Sequence, residues 1–147
     1  MAKSKYKADA PVYEVVPTME VLGRKPAMTL LNNVLVPGSH NYVEMGWATA
    51  MPEPPCHIDA HVHNFDELVF HIGTDPDNQE DLGGVVEFIG GDETLVMDKT
   101  CCVFVPKGVK HGPITWKKFV RPHFQLTVML GADTLDDADP GGHRAVE

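Results

Sequence analysis

The chain has 147 residues, of which 43% are hydrophobic and 22% are charged, a composition typical of one folded domain and not of a disordered chain. The formal net charge of -9 comes without a clustered basic face, which argues against nucleic-acid binding. No stretch approaches the roughly 18–20 apolar residues of a membrane span, and no apolar signal segment follows the lysines of residues 1–7. We therefore expect a soluble, cytoplasmic protein.

The cysteines support the same interpretation. There are three of them, Cys56, Cys101 and Cys102, and no CxxC spacing. An odd count with two adjacent residues does not suit a disulfide framework, which agrees with a reducing cytosol. We expect Cys101 and Cys102 to fill core volume, the alternative being that one of them faces the cavity.

Short strand-like segments separated by Gly, Pro, Asn or Asp dominate the chain in order. They are residues 12–16, 27–31, 41–50, 57–63, 67–72, 85–89, 94–97, 101–105 and 119–130. No segment keeps a 3.6-residue hydrophobic period over eleven residues. Residues 51–55 and the acidic residues 74–84 are predicted as loops, and the pattern as a whole predicts an all-β sandwich or barrel.

Eight histidines are many for this length, and three of them stand close together. His57, His61 and His63 have the same parity, so on a strand they would point to one face. Glu67 follows a short turn and can fold back beside them, giving the pattern HxHxxxE. A solvated, histidine-rich surface strand would produce the same local sequence.

A second motif about forty residues later favours a metal site. Residues 106–111 read PxGxxH, in which Pro and Gly impose a turn and His111 enters a new strand. Two separate units thus deliver three imidazoles and one carboxylate, namely His61, His63, Glu67 and His111. This donor set suits Fe, Mn, Co, Ni, Cu or Zn better than calcium or magnesium.

With both motifs in order, the chain resembles the cupin superfamily over about residues 46–116. The first cupin motif corresponds to His61, His63, Glu67 and Gly73, and the second to Pro106 through His111. The leading glycine of each motif is replaced, near Cys56 and near Thr100. These departures affect turns and leave the ligand set intact.

The resemblance implies a double-stranded β-helix, or jelly-roll, barrel with one divalent metal ion in its wider mouth. It assigns residues 36–132 to the cupin barrel, 1–35 to an N-terminal extension with one or two strands, and 133–147 to a polar tail. Such cupins are usually homodimers, and residues 10–35 would be a candidate for pairing across the dimer as an extra strand.

Further polar residues are candidates for the cavity. His71 shares a face with Glu67, so it should lie deeper in the barrel as a proton carrier or as a hydrogen-bonded core residue. Residues 119–130 alternate polar and apolar, and either face could point inward. A polar inner face would make His123 a second catalytic candidate. The substrate-binding candidates are His57, Arg121, Gln125 and Tyr42, with Arg121 reserved for a carboxylate.

The residues leave three functions open. Iron is favoured as the metal, and a three-His, one-Glu iron site suits dioxygenation of a small oxygenated molecule. Manganese, nickel, copper, cobalt or zinc would suit lyase, decarboxylase or isomerase chemistry by Lewis-acid catalysis. A non-enzymatic cupin that binds a small ligand is the third possibility. In each case the expected partner is a small molecule.

Overall fold

The computed structural model describes residues 15–21, 26–56 and 58–132. These form nine strands: β1 (Met19–Glu20), β2 (Ala27–Leu31), β3 (Asn41–Ala48), β4 (Asp66–Ile72), β5 (Asp81–Gly90), β6 (Glu93–Lys99), β7 (Cys101–Val105), β8 (His111–Phe119) and β9 (His123–Leu130). The predicted all-β class is confirmed. Within the described ranges there is no helix that could cross a membrane.

The strands build two antiparallel sheets that enclose the core. One sheet has the order β1-β2-β3-β9-β4-β7 and the other β6-β5-β8. The main core cluster joins both, with Val69 from β4 packed among Phe88 of β5 and Trp116 of β8. Two antiparallel sheets that close over one core are the jelly-roll arrangement that the cupin motifs imply.

The inward positions of the larger sheet are unusually polar. On β9, the side chains of His123, Gln125 and Thr127 are buried, whereas Phe124 and Leu126 between them are partly exposed. Glu67 and His71 of β4 are buried in the same way, on the same side. The polar face of this strand pair therefore looks into the molecule, which answers the question that alternation alone left open.

The predicted strand at residues 57–63 is wrong as a continuous element. In the described part of this segment, isolated bridges pair Cys56 with Thr115 and His61 with His111, and Ile58 is a further bridge residue. His57 itself lies outside the described residues, so its predicted place beside the cavity stays a prediction.

The long strand predicted at residues 119–130 is also wrong, because it is two strands. β8 ends at Phe119, and the backbone N–H groups of Val120 and Arg121 both donate to the carbonyl of Gly83, at 2.8 and 2.9 Å. Pro122 then has no N–H to continue a ladder. These contacts turn the chain from the smaller sheet into the larger one.

Some boundaries at the two ends of the chain also differ from expectation. Val15 and Val16, the described part of the strand predicted at 12–16, are not in a strand. β1 and β2 fall inside the expected extension 1–35, and β2 pairs with β3 of the same chain. The tail predicted at 133–147 lies outside the described residues. In the acidic stretch, residues 81–84 already belong to β5.

Candidate metal centre

Four side chains from separate parts of the chain meet at one point between the sheets. His111 opens β8, Glu67 is the second residue of β4, and His61 and His63 come from the irregular segment before β4. One donor atom from each lies within 4.8 Å of all the others. Two backbone hydrogen bonds, from His61 N to His111 O (2.9 Å) and from His111 N to His61 O (3.0 Å), hold the two motifs together.

Each of the three imidazoles is oriented by a hydrogen bond at Nδ1. In all three, Nδ1 is within hydrogen-bond distance of a backbone carbonyl two residues away and acts as the donor. The acceptors are Asp59 for His61 (2.8 Å), Phe65 for His63 (3.1 Å) and Val109 for His111 (2.8 Å). A proton on Nδ1 leaves the Nε2 lone pair of a neutral imidazole for a metal ion, as in many metalloproteins.

Glu67 is the one carboxylate of the cluster. Burial alone would raise its pKa, but hydrogen bonds from His111 and His63 outweigh it and lower the pKa to about 2. The Nε2 atoms of His63 and His111 lie 2.8 and 2.9 Å from the same oxygen, Oε2. Glu67 is therefore ionised at neutral pH, and its negative charge attracts protons or a cation to the centre of the cluster.

His61 shows that the cluster fits a metal ion. Its Nε2 is buried and has no hydrogen-bond partner, although it lies among the donor atoms of the other three residues. Burial lowers the pKa of His61, so its imidazole stays neutral. A buried lone pair without a partner is costly, and a divalent ion held by three imidazoles and a carboxylate would satisfy it.

The residue after His111 has to be a glycine. Gly112 has a φ of +93°, and a Cβ atom there would lie 2.9 Å from the carbonyl oxygen of Asp59. Asp59 is the residue whose carbonyl orients His61. The close approach of these backbones thus holds the two motifs in register, a role for Gly112 that its place in the sequence does not reveal.

His71 and His123 lie deeper, and their surroundings differ. His71 is completely buried, and neither of its ring nitrogens has a hydrogen-bond partner. Burial, with a smaller contribution from nearby His123, lowers its pKa to about 4. His123 is fully bonded, because Nδ1 donates to the Arg121 carbonyl at 2.9 Å and Nε2 accepts from Trp116 Nε1 at 3.0 Å. Their catalytic roles stay predictions.

The residues predicted to bind substrate lie in two different environments. Gln125 and Tyr42 are buried on the inner face of the larger sheet. Arg121 instead forms an ion pair with Asp81 and lowers the pKa of that carboxyl. Its guanidinium is therefore already engaged, and carboxylate recognition by Arg121 stays a prediction.

Sequence reasoning missed Thr29 and Trp116. Thr29 Oγ1 lies 2.9 Å from the hydroxyl oxygen of Tyr42, and Trp116 contacts His123 from the opposite sheet. Both contacts join residues on different strands, and no local pattern around either residue indicates its partner.

No protein-family model matches the sequence, and no curated protein is similar to it. Solved structures are similar. The crystal structure of FeII HppE has 13% sequence identity and a TM-score of 0.52, and the similarity covers 84% of this chain and 62% of that chain. A conserved Streptococcus pyogenes protein of unknown function, SPY1581, has 15% identity, 91% and 98% coverage and a TM-score of 0.50.

A cupin superfamily protein from Desulfitobacterium hafniense is also similar, with 10% identity, coverage of 88% of this chain and 98% of that chain, and a TM-score of 0.48. Identities this low concern the fold alone. The fold of this chain is the one that its two motifs predict, with both motifs at the point where the four donor atoms meet.

Proposed function

We propose that this chain, which has the cupin fold, is a metal-dependent enzyme that acts on a small oxygenated organic molecule, with dioxygenase chemistry favoured. The observation that supports the proposal is the convergence of three imidazole nitrogens and one carboxylate oxygen within 4.8 Å. Four protein ligands leave coordination positions for other groups, as a catalytic metal requires.

The four residues would divide the work by charge. His61, His63 and His111 supply imidazole nitrogens oriented by backbone carbonyls, and Glu67 supplies the only carboxylate among the four. Bound iron would supply the redox chemistry needed for O₂, together with a net positive charge that favours an anionic oxygen of the substrate. The core residue Phe88 stacks beside His111, with ring centroids 6.0 Å apart.

The inner face of the larger sheet, which also carries Glu67, offers polar groups to a small molecule. Tyr42, Gln125 and Thr127 are buried on the inner face of the larger sheet, and each can donate and accept hydrogen bonds. His123 is held as a neutral imidazole by its two hydrogen bonds, so it can shape this face but is poorly placed to carry a proton. A few polar groups in an otherwise apolar interior are typical of small-molecule sites.

One observation favours Lewis-acid chemistry as a second candidate. The hydroxyl of Tyr42 donates to Glu44 Oε1 at 3.0 Å and lies 2.9 Å from Thr29 Oγ1, all three being buried. Such a hydrogen-bonded chain can pass a proton, which lyase and isomerase reactions need and dioxygenation does not. Tyr42→Phe would remove the shared hydroxyl with little change in shape.

The test begins with the metal. We expect about one transition-metal ion per chain by plasma mass spectrometry, and O₂ uptake by iron-loaded protein with at least one member of a panel of diols and diketones. Gln125→Glu is a second variant to assay, because it changes the polar inner face of the larger sheet and leaves the four metal donors in place. Metal without O₂ uptake, but with Tyr42-dependent turnover, would favour the Lewis-acid reaction. Ligand binding without turnover under any metal would favour a binding protein.

A further inference from the structure

Phe65 contacts His63 in two separate ways. Its phenyl ring stacks on the imidazole ring, with centroids 4.1 Å apart and an interplanar angle of 9°. Its backbone carbonyl accepts the hydrogen bond from His63 Nδ1, at 3.1 Å. One residue thus meets both the plane and the edge of a side chain that belongs to the candidate metal centre.

The other two imidazoles of the cluster are held differently. The backbones of His61 and His111 bond each other twice, and the Nδ1 atom of each lies 2.8 Å from its acceptor. The Nδ1 contact of His63 is the longest of the three. One hydrogen bond fixes the place of Nδ1 but lets the ring turn about the bond direction. A parallel phenyl ring opposes this rotation, because stacked rings that tilt lose van der Waals contact.

Phe65 is itself held in place by the larger sheet. It packs against a buried cluster on β3, on β9 and just after β9, which consists of Tyr42, Met129 and Ala132. Gly131 makes room for it, because φ at Gly131 is +128° and a Cβ atom there would lie 3.2 Å from Phe65 Cβ. The stack therefore ties His63, in the irregular segment before β4, to strands that are fixed by regular pairing.

The ring plane of His63 matters because it decides where Nε2 points. This atom lies 2.8 Å from Glu67 Oε2 and belongs to the group of donors within 4.8 Å of one another. The lone pair of an imidazole nitrogen lies in the ring plane, so a tilted ring would aim it away from the cluster. Donors that are already oriented bind a metal ion more tightly, because less side-chain freedom is lost on binding.

We propose that Phe65 is a positioning residue for the metal centre, whose phenyl ring holds the imidazole of His63 in the plane that ligation requires. The inference rests on the metal site of the proposed function and not on the reaction that occurs there. It assigns part of the metal affinity to the ring, in addition to the carbonyl. Every substitution of Phe65 keeps the carbonyl, so side-chain variants test the ring alone.

The experiment titrates the chelator-treated, full-length protein with Co²⁺, whose visible absorption reports the geometry of its ligands. Wild-type protein should bind about one Co²⁺ per chain. Phe65→Leu keeps an apolar side chain but removes the stacked ring. It should change the absorption spectrum and raise Kd by about tenfold or more, since loss of a group that orients a metal ligand costs roughly 10–100-fold in affinity. Phe65→Tyr keeps the ring and should bind Co²⁺ as wild type does.

Phe119→Leu is the matched control. The Phe119 ring lies 5.7 Å from the ring of His123, so the variant makes the same change beside a histidine outside the cluster. It should lower the free energy of unfolding without changing the affinity for Co²⁺ or the spectrum. Wild-type affinity and spectrum in Phe65→Leu would overturn the proposal, and so would an equal loss of affinity in Phe119→Leu.

A measurement without metal separates the role of Phe65 from the metal site itself. In chelator-treated protein, the ring current of Phe65 should shift the NMR signals of the His63 ring protons upfield, and Phe65→Leu should abolish this shift. A wild-type protein that binds Co²⁺ but lacks the shift would overturn the role of Phe65 alone. A wild-type protein that binds no Co²⁺ would overturn the metal centre, and the role of Phe65 with it.

Discussion

His111 and His123 make a close comparison within one molecule. Each opens a strand, each is buried, and the Nδ1 of each bonds the carbonyl two residues earlier, at 2.8 and 2.9 Å. They differ at Nε2. In His111 this atom faces Glu67 and the other imidazoles, whereas in His123 it accepts a hydrogen bond from Trp116. Local anchoring is thus the same in both, and the group that Nε2 meets decides between a metal donor and a core residue.

The largest expected effect is on metal binding, and it separates His111 from His123. His111→Ala should reduce the metal content from about one ion per chain to near zero. It should also remove the metal-linked stability, about 3–4 kcal/mol when free metal exceeds Kd by 100- to 1,000-fold. Plasma mass spectrometry and melting with and without chelator measure both. His123→Leu is the control, which should keep its metal. Equal metal content in the two variants would contradict the distinction.

The pH dependence of stability isolates His71. Because burial lowers its pKa to about 4, the unfolded chain binds a proton at this residue between about pH 6.5 and pH 4 that the folded chain does not. The free energy of unfolding should therefore decrease as the pH is lowered from about 6.5 to about 4, by about 3 kcal/mol from this residue. Urea unfolding of wild type and His71→Leu, with chelator throughout, should show a shallower fall in the variant. Parallel curves would mean that His71 is not held neutral.

A smaller effect is expected at His123. His123→Leu removes the acceptor of the Trp116 indole N–H inside the core, and burial of a donor that loses its acceptor costs about 1–3 kcal/mol. Denaturant unfolding in the presence of chelator measures this loss without a contribution from metal. Adding Trp116→Phe should recover part of the loss, since the indole N–H is then gone as well. No recovery in the double variant would argue against the hydrogen bond.

The smallest effect should have the opposite sign. His71→Leu at pH 7 should leave the free energy of unfolding unchanged or raise it by up to about 1 kcal/mol, because it replaces two unpartnered nitrogens by an apolar side chain of similar size. This result would be unusual, because most substitutions at a fully buried residue lower the free energy of unfolding. Denaturant unfolding measures the difference. A loss of more than about 1 kcal/mol would mean that His71 has partners in solution.

The convergence of four side chains at the candidate metal centre was predictable, because these residues lie in two compact motifs. The spacing of His61, His63 and Glu67, together with the PxGxxH turn before His111, specified all four donors. The supposed reason was partly wrong, since His61 and His63 lie in an irregular segment and not on a strand. Their orientation comes from carbonyl hydrogen bonds and from the bridge to His111, which the local pattern does not contain.

The inward face of the larger sheet was less predictable, because β9 buries its polar side chains and leaves its apolar side chains partly exposed. Alternation divided His123 and Gln125 from Phe124 and Leu126, but the common rule places the apolar side inside. Here the polar side is buried. The contact between His123 and Trp116 joins β9 to β8 across the core, and only the packing of two sheets brings these residues together.

The backbone bridge between His61 and His111 has a thermodynamic consequence. Its two hydrogen bonds join backbone groups and use none of the four donor atoms, so they can hold the motifs together independently of a bound ion. Little chain has to become ordered on binding, and little apolar surface is newly buried. Ion uptake should therefore show a small heat-capacity change in calorimetry. Its enthalpy should vary with buffer, because a bound ion would displace the protons that Nε2 of His63 and of His111 donate to Glu67.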